Sequence, residues 1–440
     1  MAQQDRQQDT DQDKHPKHDK GVALLNLILQ SQTWVHRRVD ALRLDSEGTT
    51  RRHVSIDMTA PGEFMIAGSE GRFILPLAVL EKGVKRRLDA TQGGKSISVL
   101  GREDNGALAI AMLESALVFL LDLEGDSVTV ARSHLTKVVY SAGSNDADTS
   151  LAAYKAWFES TKGSVPGDRQ KMLDITNSVI EQLAHNFLLF VELDCELLDT
   201  RTIVKYALNQ EAPQVHRRGY KLVRFDYQIP DFGFAASQHV EIEVPAGLMV
   251  SSLEIIEAGP DDIVTNTDFD ASASGQRLGH VALNPSQRFY KGRASVEVVP
   301  AEQGLFVFTK LAVVSIAVMV VLAQLVRMYN EDILGPKAEI PSPSASILLI
   351  GPALLFSWMS RNQEHNLVVE LLSPLRRVLA LCALVLLGTA VLAAIPVTPP
   401  VWWGGWFVIG LLTAAAVFGL IKFDQGDELP KRLARAFRRS

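Results

Sequence analysis

Four apolar runs near the end of this chain constrain its fold more than anything else in it: Gly304–Val326, Ser344–Met359, Val378–Ile395 and Val401–Ile421. A helix needs roughly 20 mostly apolar residues to cross the hydrocarbon core of a bilayer. The first and fourth runs reach that length, the third nearly does, and the second is short and holds Gly351-Pro352. The expectation is a four-span helical membrane domain over 304–421, with the second run spanning fully or entering as a tilted, kinked or re-entrant segment.

The composition of all 440 residues, 47% hydrophobic and 21% charged, looks like that of a soluble protein because it averages two unlike parts. The charges lie mostly before residue 300 and the apolar runs after it. A net charge of −6 carries no global nucleic-acid signature. Cys195 and Cys382 fall in unlike surroundings, so neither a disulfide framework nor a cysteine-based zinc site is expected.

Basic residues near span ends mark the cytoplasmic side. Lys310 sits near one end of the first run, Arg361, Arg376 and Arg377 lie between the second and third, and Lys422, Lys431, Arg432, Arg435, Arg438 and Arg439 follow the fourth. The turn PVTPP between the last two runs is uncharged, and Trp402, Trp403 and Trp406 follow it as an outer aromatic belt would. The pattern predicts a multi-pass plasma-membrane protein with both termini cytoplasmic. The tail 422–440 reads either as an amphipathic segment on anionic lipid headgroups, with Leu433 and Phe437 one turn apart, or as a topology-setting tail. Ala390/Ala394, Gly410/Ala414 and Ala415/Gly419 have the small-xxx-small spacing that permits close helix packing or a homo-oligomer, and equally the small residues of an ordinary membrane helix.

Met1–Lys20 is polar, with no apolar core of a secretory signal, and is expected to be a disordered tail; its His15 and His18 are read as tail residues rather than metal ligands. Residues 21–212 mix helical and strand patterns, an α+β domain. VALLNLIL at 22–29 is too short to span and reads as a core helix. VHRRVDALRL (35–44) and HVSIDMTAP (53–61) alternate with period two as half-buried strands do, and FILPLAVLEKG (73–83) is a buried strand whose Pro76 demands an edge or a bulge. Asn105 is a candidate cap for an all-round apolar helix from Gly106 to Asp122, which belongs at the centre of a soluble core. SVTVARSHL reads as a strand, 141–150 as a loop, and Leu151–Thr161 and Arg169–His185 as helices. FLLFVELD (187–194) and TRTIVKYAL (200–208) read as paired strands.

Residues 213–303 carry only strands and turns: 221–230, 238–245, 248–257, 277–284 and 292–300, with an acidic loop at 258–275. That texture predicts an all-β, immunoglobulin-like sandwich without the Cys and Trp hallmarks.

VSIDMTAP, RFILPLAVLEKG followed by KRRLDA, SQHVEIEVPAGL and the closing membrane runs resemble a group of uncharacterised actinobacterial-type multi-pass membrane proteins. The resemblance implies the same layout of cytoplasmic α+β region, β-sandwich and membrane helices, and it transfers no site.

Motifs of catalysis are weak. GGKS at 93–96 has Asp89 where a P-loop needs its first glycine, and a strand follows rather than a helix, so a β-turn is expected. His239, Glu241 and Glu243 have the spacing of a solvated strand face as much as that of a metal site. No HExxH, GxSxG or GxGxxG is present. Intramembrane charge, the mark of an ion path, is limited to Lys310, with Gln324 as the other polar candidate. The expected function is therefore a non-enzymatic anchor without a cofactor, holding a protein partner or a large cytoplasmic assembly, such as a contractile injection apparatus, at the membrane. The alternative is a sensor-gated pore or membrane-disrupting effector.

Overall fold

A computed structural model describes residues 15–44, 50–83, 86–163, 166–211, 213–218, 221–229, 231, 233–258, 264–270, 275–285, 291–329, 350–352, 354, 366–394 and 398–425. The helices are α1 (His15–Leu29), α2 (Ser31–Trp34), α3 (Arg102–Leu121), α4 (Asp126–Tyr140), α5 (Ser144–Thr161), α6 (Gly167–His185), α7 (Leu305–Tyr329), α8 (Asn366–Ala394) and α9 (Pro399–Gln425). The strands up to β8 are β1 (Val35–Leu44), β2 (Thr50–Thr59), β3 (Ile66–Ala67), β4 (Arg72–Glu81), β5 (Arg86–Gln92), β6 (Lys95–Ser96), β7 (Ser98–Val99) and β8 (Asn186–Asp194). The rest are β9 (Arg201–Gln210), β10 (Val215–Arg217), β11 (Val223–Ile229), β12 (Ser237–Glu243), β13 (Leu248–Ala258), β14 (Val264–Asp270), β15 (Leu278–Leu283) and β16 (Lys291–Pro300).

One large sheet organises everything before the membrane helices. Its seven strands run β15-β12-β1-β2-β9-β5-β6, and β12 pairs with β1 in parallel, Arg38 opposite Gln238 and Leu42 opposite Ile242. Strands from both sides of residue 212 therefore share one hydrogen-bonded layer. Half of its inner face, with Val54, Ile56, Met58 and Val204, packs into a core with α1, α3–α6 and a small sheet ordered β3-β4-β8-β7. The other half, with Leu42, Val240, Ile242 and Val281, packs against an antiparallel sheet ordered β10-β11-β16-β13-β14. Residues 213–303 thus supply the whole of one layer and strands β12 and β15 of the layer facing it, and β1 from before residue 212 extends that facing layer.

Local chemistry explains where the chain follows its sequence signals and where it departs from them. Gly93 and Gly94 take φ of 56° and 81°, which only glycine adopts cheaply, and close a two-residue hairpin between Gln92 and Lys95. The register of β4 against β8 slips between Pro76 and Ala78, the bulge that a mid-strand proline requires. Asn105 is not the cap of α3, which starts at Gly101-Arg102. Its side chain instead donates to the Leu100 carbonyl (2.8 Å) and accepts from the Phe190 amide (2.9 Å), tying α3 to β8. The segment read as a strand, SVTVARSHL, is the start of α4, whose buried stripe is Ala131, Leu135, Val138 and Val139 while Val130 faces out. The expected loop 141–150 is mostly α5, since Asp146 accepts from the Ala142 amide at 2.8 Å and starts that helix. The strands β8 and β9 do not pair; β8 lies between β4 and β7, and β9 between β2 and β5. Part of the expected loop 258–275 is β14, and residues 15–20 of the expected tail belong to α1.

Among the described residues, four helices are long and apolar enough to cross a membrane: α3, α7, α8 and α9. They meet different fates. In the most apolar 18-residue stretch of each, 56% of α3 is buried, against 22%, 39% and 28% for α7, α8 and α9. Helices α7, α8 and α9 turn Phe308, Leu311, Val314 and Val318, Leu384 and Val391, and Phe407, Leu411 and Phe418 outward, an apolar belt with the character of a membrane protein's lipid face. Most of the second apolar run lies outside the described residues; residues 350–352 and 354 are helical, and a Cβ at Gly351 would sit 3.5 Å from Leu386 of α8.

Candidate functional site

The site that relates the soluble head to the membrane helices is the junction between β10–β11, the chain leaving β16, and the ends of α7, α8 and α9. Chain continuity places α7 there, because it begins five residues after β16 ends. Helices α8 and α9 pack antiparallel, with Leu392 against Gly405, Ile409 against Gly388 and Val378 against Gly419. The C-terminal end of α9 returns to the junction, where the rings of Phe423 and Phe306 stand 5.7 Å apart.

Lys221 holds this corner. Its Nζ donates to the Asp424 carbonyl (2.9 Å) and to Oδ1 (2.8 Å), and lies 5.0 Å from the Phe306 ring and 5.7 Å from the Phe423 ring. Lys310 approaches the same carboxylate at 3.6 Å and stands 4.2 Å over Phe306. An ammonium on an aromatic face beside a carboxylate is attracted by both while its stem covers apolar surface. A second strap runs from Arg217, which donates to the Glu370 carbonyl at 3.3 Å. The first three turns of α8 bury Leu367, Leu371 and Leu375, a stripe at spacing four on one helical face. At the opposite end of the bundle Arg327 lies 3.7 Å over the Trp403 ring and 4.7 Å over Trp402, and donates to Gln324 Oε1 at 2.8 Å.

The structure brings some of the expected interface residues together and separates others. Lys310 is at the junction, while Arg376 and Arg377 sit inside α8 rather than in a preceding loop. Only Trp403 of the three tryptophans is exposed; Trp402 and Trp406 turn into the bundle. Arg361, Lys431, Arg432, Arg435, Arg438 and Arg439 lie outside the described residues, and Lys422 is exposed near the end of α9. Gly419 packs against Val378, so its small size serves the contact of α8 with α9, whereas a Cβ on Gly410 would meet open space.

The most completely buried polar cluster among the described residues was not singled out from sequence. On the inner face of the large sheet, at the seam between its two cores, Arg52 grips Asp40 through Nε (3.0 Å) and Nη2 (2.5 Å). Arg38 reaches Asp231 at 2.5 Å and donates to Tyr206 Oη at 2.6 Å, and Tyr227 donates to Asp40 Oδ1 at 2.8 Å. All are buried, Asp40 and Asp231 completely. Burial alone would raise the Asp40 pKa, but the Arg52 charge and hydrogen bonds, with Arg38 behind them, hold it below the usual carboxylate range. Burial likewise works against the charge of Arg38 and Arg52, and the carboxylates outweigh it and raise both. The signal existed in the sequence: Arg38 and Asp40 are in phase with Leu42 and Leu44, and Arg52 with Val54, Ile56 and Met58. Charges in phase with an apolar strand face must find partners once the face is covered. The cluster fastens the two halves of the head to one sheet.

A cleft of about 980 Å³ opens where α4 and α6 end and α3 and α5 begin, lined among others by Lys82, Arg102, Tyr140, Ser144 and His185. Burial, then the charge of Arg102, pulls the Lys82 pKa down to about 8. Such a shift is a common mark of a reactive amine, yet the Nζ donates to the Val138 carbonyl (2.8 Å), the Ala184 carbonyl (2.7 Å) and Ser141 Oγ (2.7 Å). An ammonium has three donors and all are spent on closing the ends of α4 and α6, where a helix favours positive charge. Lys82 is a structural fastener in this arrangement.

On the outer face of the large sheet, Glu243 pairs with Arg43 (3.4 Å) and Arg277 (3.7 Å), so it does not share an ion with His239. No protein-family model and no curated protein matches this chain.

Proposed function

We propose that this chain is an integral membrane anchor that holds a rigid head at the inner face of the plasma membrane, where the head docks a protein partner or a large cytoplasmic assembly. One observation carries the reading: apolar helices with an outward apolar belt are bolted to the head by Lys221–Asp424 and by the buried first turns of α8. Such a junction fixes the pose of the head against the bilayer, which a passive tether would not need. Among the described residues of the membrane helices, Thr309, Thr389 and Thr413 donate to the carbonyls four residues back, Leu305, Val385 and Ile409, so these hydroxyls are spent within their own helices, which supports an anchor over an ion path.

Orientation follows from charge and direction. Lys221, Lys310, Arg217, Arg377 and Lys422 gather towards the head, and Arg327 with its tryptophans marks the far end, which supports a cytoplasmic head. Helices α7 and α8 both run antiparallel to α9, so both lead away from the head, and a chain that leaves twice must return between them; this supports four spans. A cysteine introduced at Thr398, between α8 and α9, is expected to react with an impermeant maleimide on intact cells. One at exposed Lys95 is expected to react only after permeabilisation. The reverse pattern sinks the orientation. The docking reading is tested by gentle detergent extraction of native membranes, and the absence of any stoichiometric companion across detergents sinks it.

A further inference from the structure

We propose that His239 and His280 form a two-imidazole site for a borderline divalent transition-metal ion of the zinc and copper(II) class, on the open outer face of the large sheet. Strands β12 and β15 are antiparallel, with His239 opposite Ala282 and Glu241 opposite His280. The two histidines are therefore diagonal neighbours on one face, within reach across strands. Nδ1 of His239 lies 3.1 Å from Nε2 of His280, with ring centroids 5.3 Å apart. At a metal–nitrogen distance of about 2.05 Å, that separation subtends about 98° at the ion, between the square-planar and tetrahedral angles.

The surroundings match what such a site needs. Ser237 Oγ is 3.2 Å from Nε2 of His239 and accepts from it when that nitrogen carries the proton. That tautomer leaves Nδ1 as the ligand atom, the second-partner arrangement that fixes a metal-binding imidazole. The ion would replace the proton between the rings, and that proton moves to Nδ1 of His280. Glu241 lies opposite His280 on the same strand face, so a carboxylate stands beside the pair and adds negative charge where a cation would bind. Among the described residues no three His, Cys, Asp or Glu side chains are placed to share one ion. Two protein nitrogens with the remaining positions open favour copper(II) or zinc over the oxygen-seeking magnesium or calcium. The site is independent of the anchoring role.

The test uses the full chain in detergent micelles, with His15 and His18 changed to Gln so that the tail does not compete. Titration with copper(II), read by electron paramagnetic resonance, is expected to show one ion per chain with coupling to two nitrogens. Zinc titration by calorimetry is expected to show one site weakened at least about tenfold by either His239→Ala or His280→Ala. His280 is exposed and His239 half-buried, so both variants are expected to keep the parent's circular dichroism and melting temperature. Ser237→Ala is expected to weaken binding less than either. Unchanged affinity in either histidine variant, or single-nitrogen coupling in the parent, overturns the proposal.

Discussion

Helices α3 and α7 invite comparison because length and composition class them together while their surroundings differ. Both qualify as membrane spans, yet the most apolar stretch of α3 is 56% buried inside the head and that of α7 only 22%. Helix α3 carries Glu114, paired with Arg132 of α4 at 2.6 Å, and Ser115 beside Gly21, where a Cβ would collide with the Ala111 carbonyl of α3. Its apolar surface is consumed by protein neighbours that approach to backbone distance. Helix α7 carries charge only near its ends, at Lys310 and Arg327, and buries just Thr309, Val313, Ile316 and Val320 against its partners. Apolarity fixes that a helix must leave water; the neighbours decide whether protein or lipid receives it.

A single substitution should separate the two. Leu117 of α3 is fully buried, and Leu117→Lys places an unpaired charge in the core of the head. We expect more than about 4 kcal/mol of destabilisation and no cooperative melting of the head. Recovery of a folded, monodisperse variant would break the comparison. Next in size is Arg52→Leu, which strands the Asp40 carboxylate and should cost about 3–5 kcal/mol in chemical denaturation. Because Asp40 is held low in the folded state, its contribution is present above its unfolded pKa and lost as pH falls through the folded value. The parent should therefore lose more stability than Arg52→Leu on acidification below about pH 4.

Val318→Lys puts the same charge on the outward face of α7, where the side chain is 52% exposed. We expect about 2.5–3.5 kcal/mol against insertion, read as release by alkaline carbonate extraction, with the melting of the head unchanged. Lys221→Met removes a pair that is partly open to solvent, with 22% and 45% of the two side chains exposed. It should cost under about 1 kcal/mol and show chiefly as faster proteolysis at the junction. The smallest effect concerns Lys82. Its folded pKa of about 8 lies below the unfolded value of about 10.4, so the unfolded chain binds more protons between those limits. Stability should rise with pH across that window, and the rise in melting temperature should be flatter in Lys82→Met.

Much of the fold was legible where one local rule acted alone. Pro76 demanded a bulge, Gly93-Gly94 a tight turn, and the pattern of Arg169–His185 a helix, and each is found. Errors arose where two readings shared a pattern. Val128 and Val130 alternate like a strand, but Ala131, Leu135 and Val138 give α4 the buried face that settled it. FLLFVELD and TRTIVKYAL look like partners because they are adjacent, while pairing was set by the distant strands β4 and β2. Of the candidate site, Lys310 was visible as the charge in an apolar run. Phe306 lies one turn before it in the same helix, but its partner Asp424 was not visible, because that pair meets across opposite ends of the membrane region.

The sequence by itself determined that the C-terminal runs are too apolar for water, where their basic flanks lie, and which strand faces are apolar. These are properties of short windows, set by side-chain transfer energies and a fixed residue period. Only the tertiary structure decided that β12 joins β1 in parallel across residue 212, that α3 is roofed by protein, and that Arg38, Asp40, Arg52 and Asp231 neutralise one another at the seam. It alone set His239 beside His280. Each of these depends on which residues, far apart in the chain, share the space left when the apolar faces close. Local periodicity cannot encode that choice, because many partners satisfy the same period and only one satisfies packing and charge together.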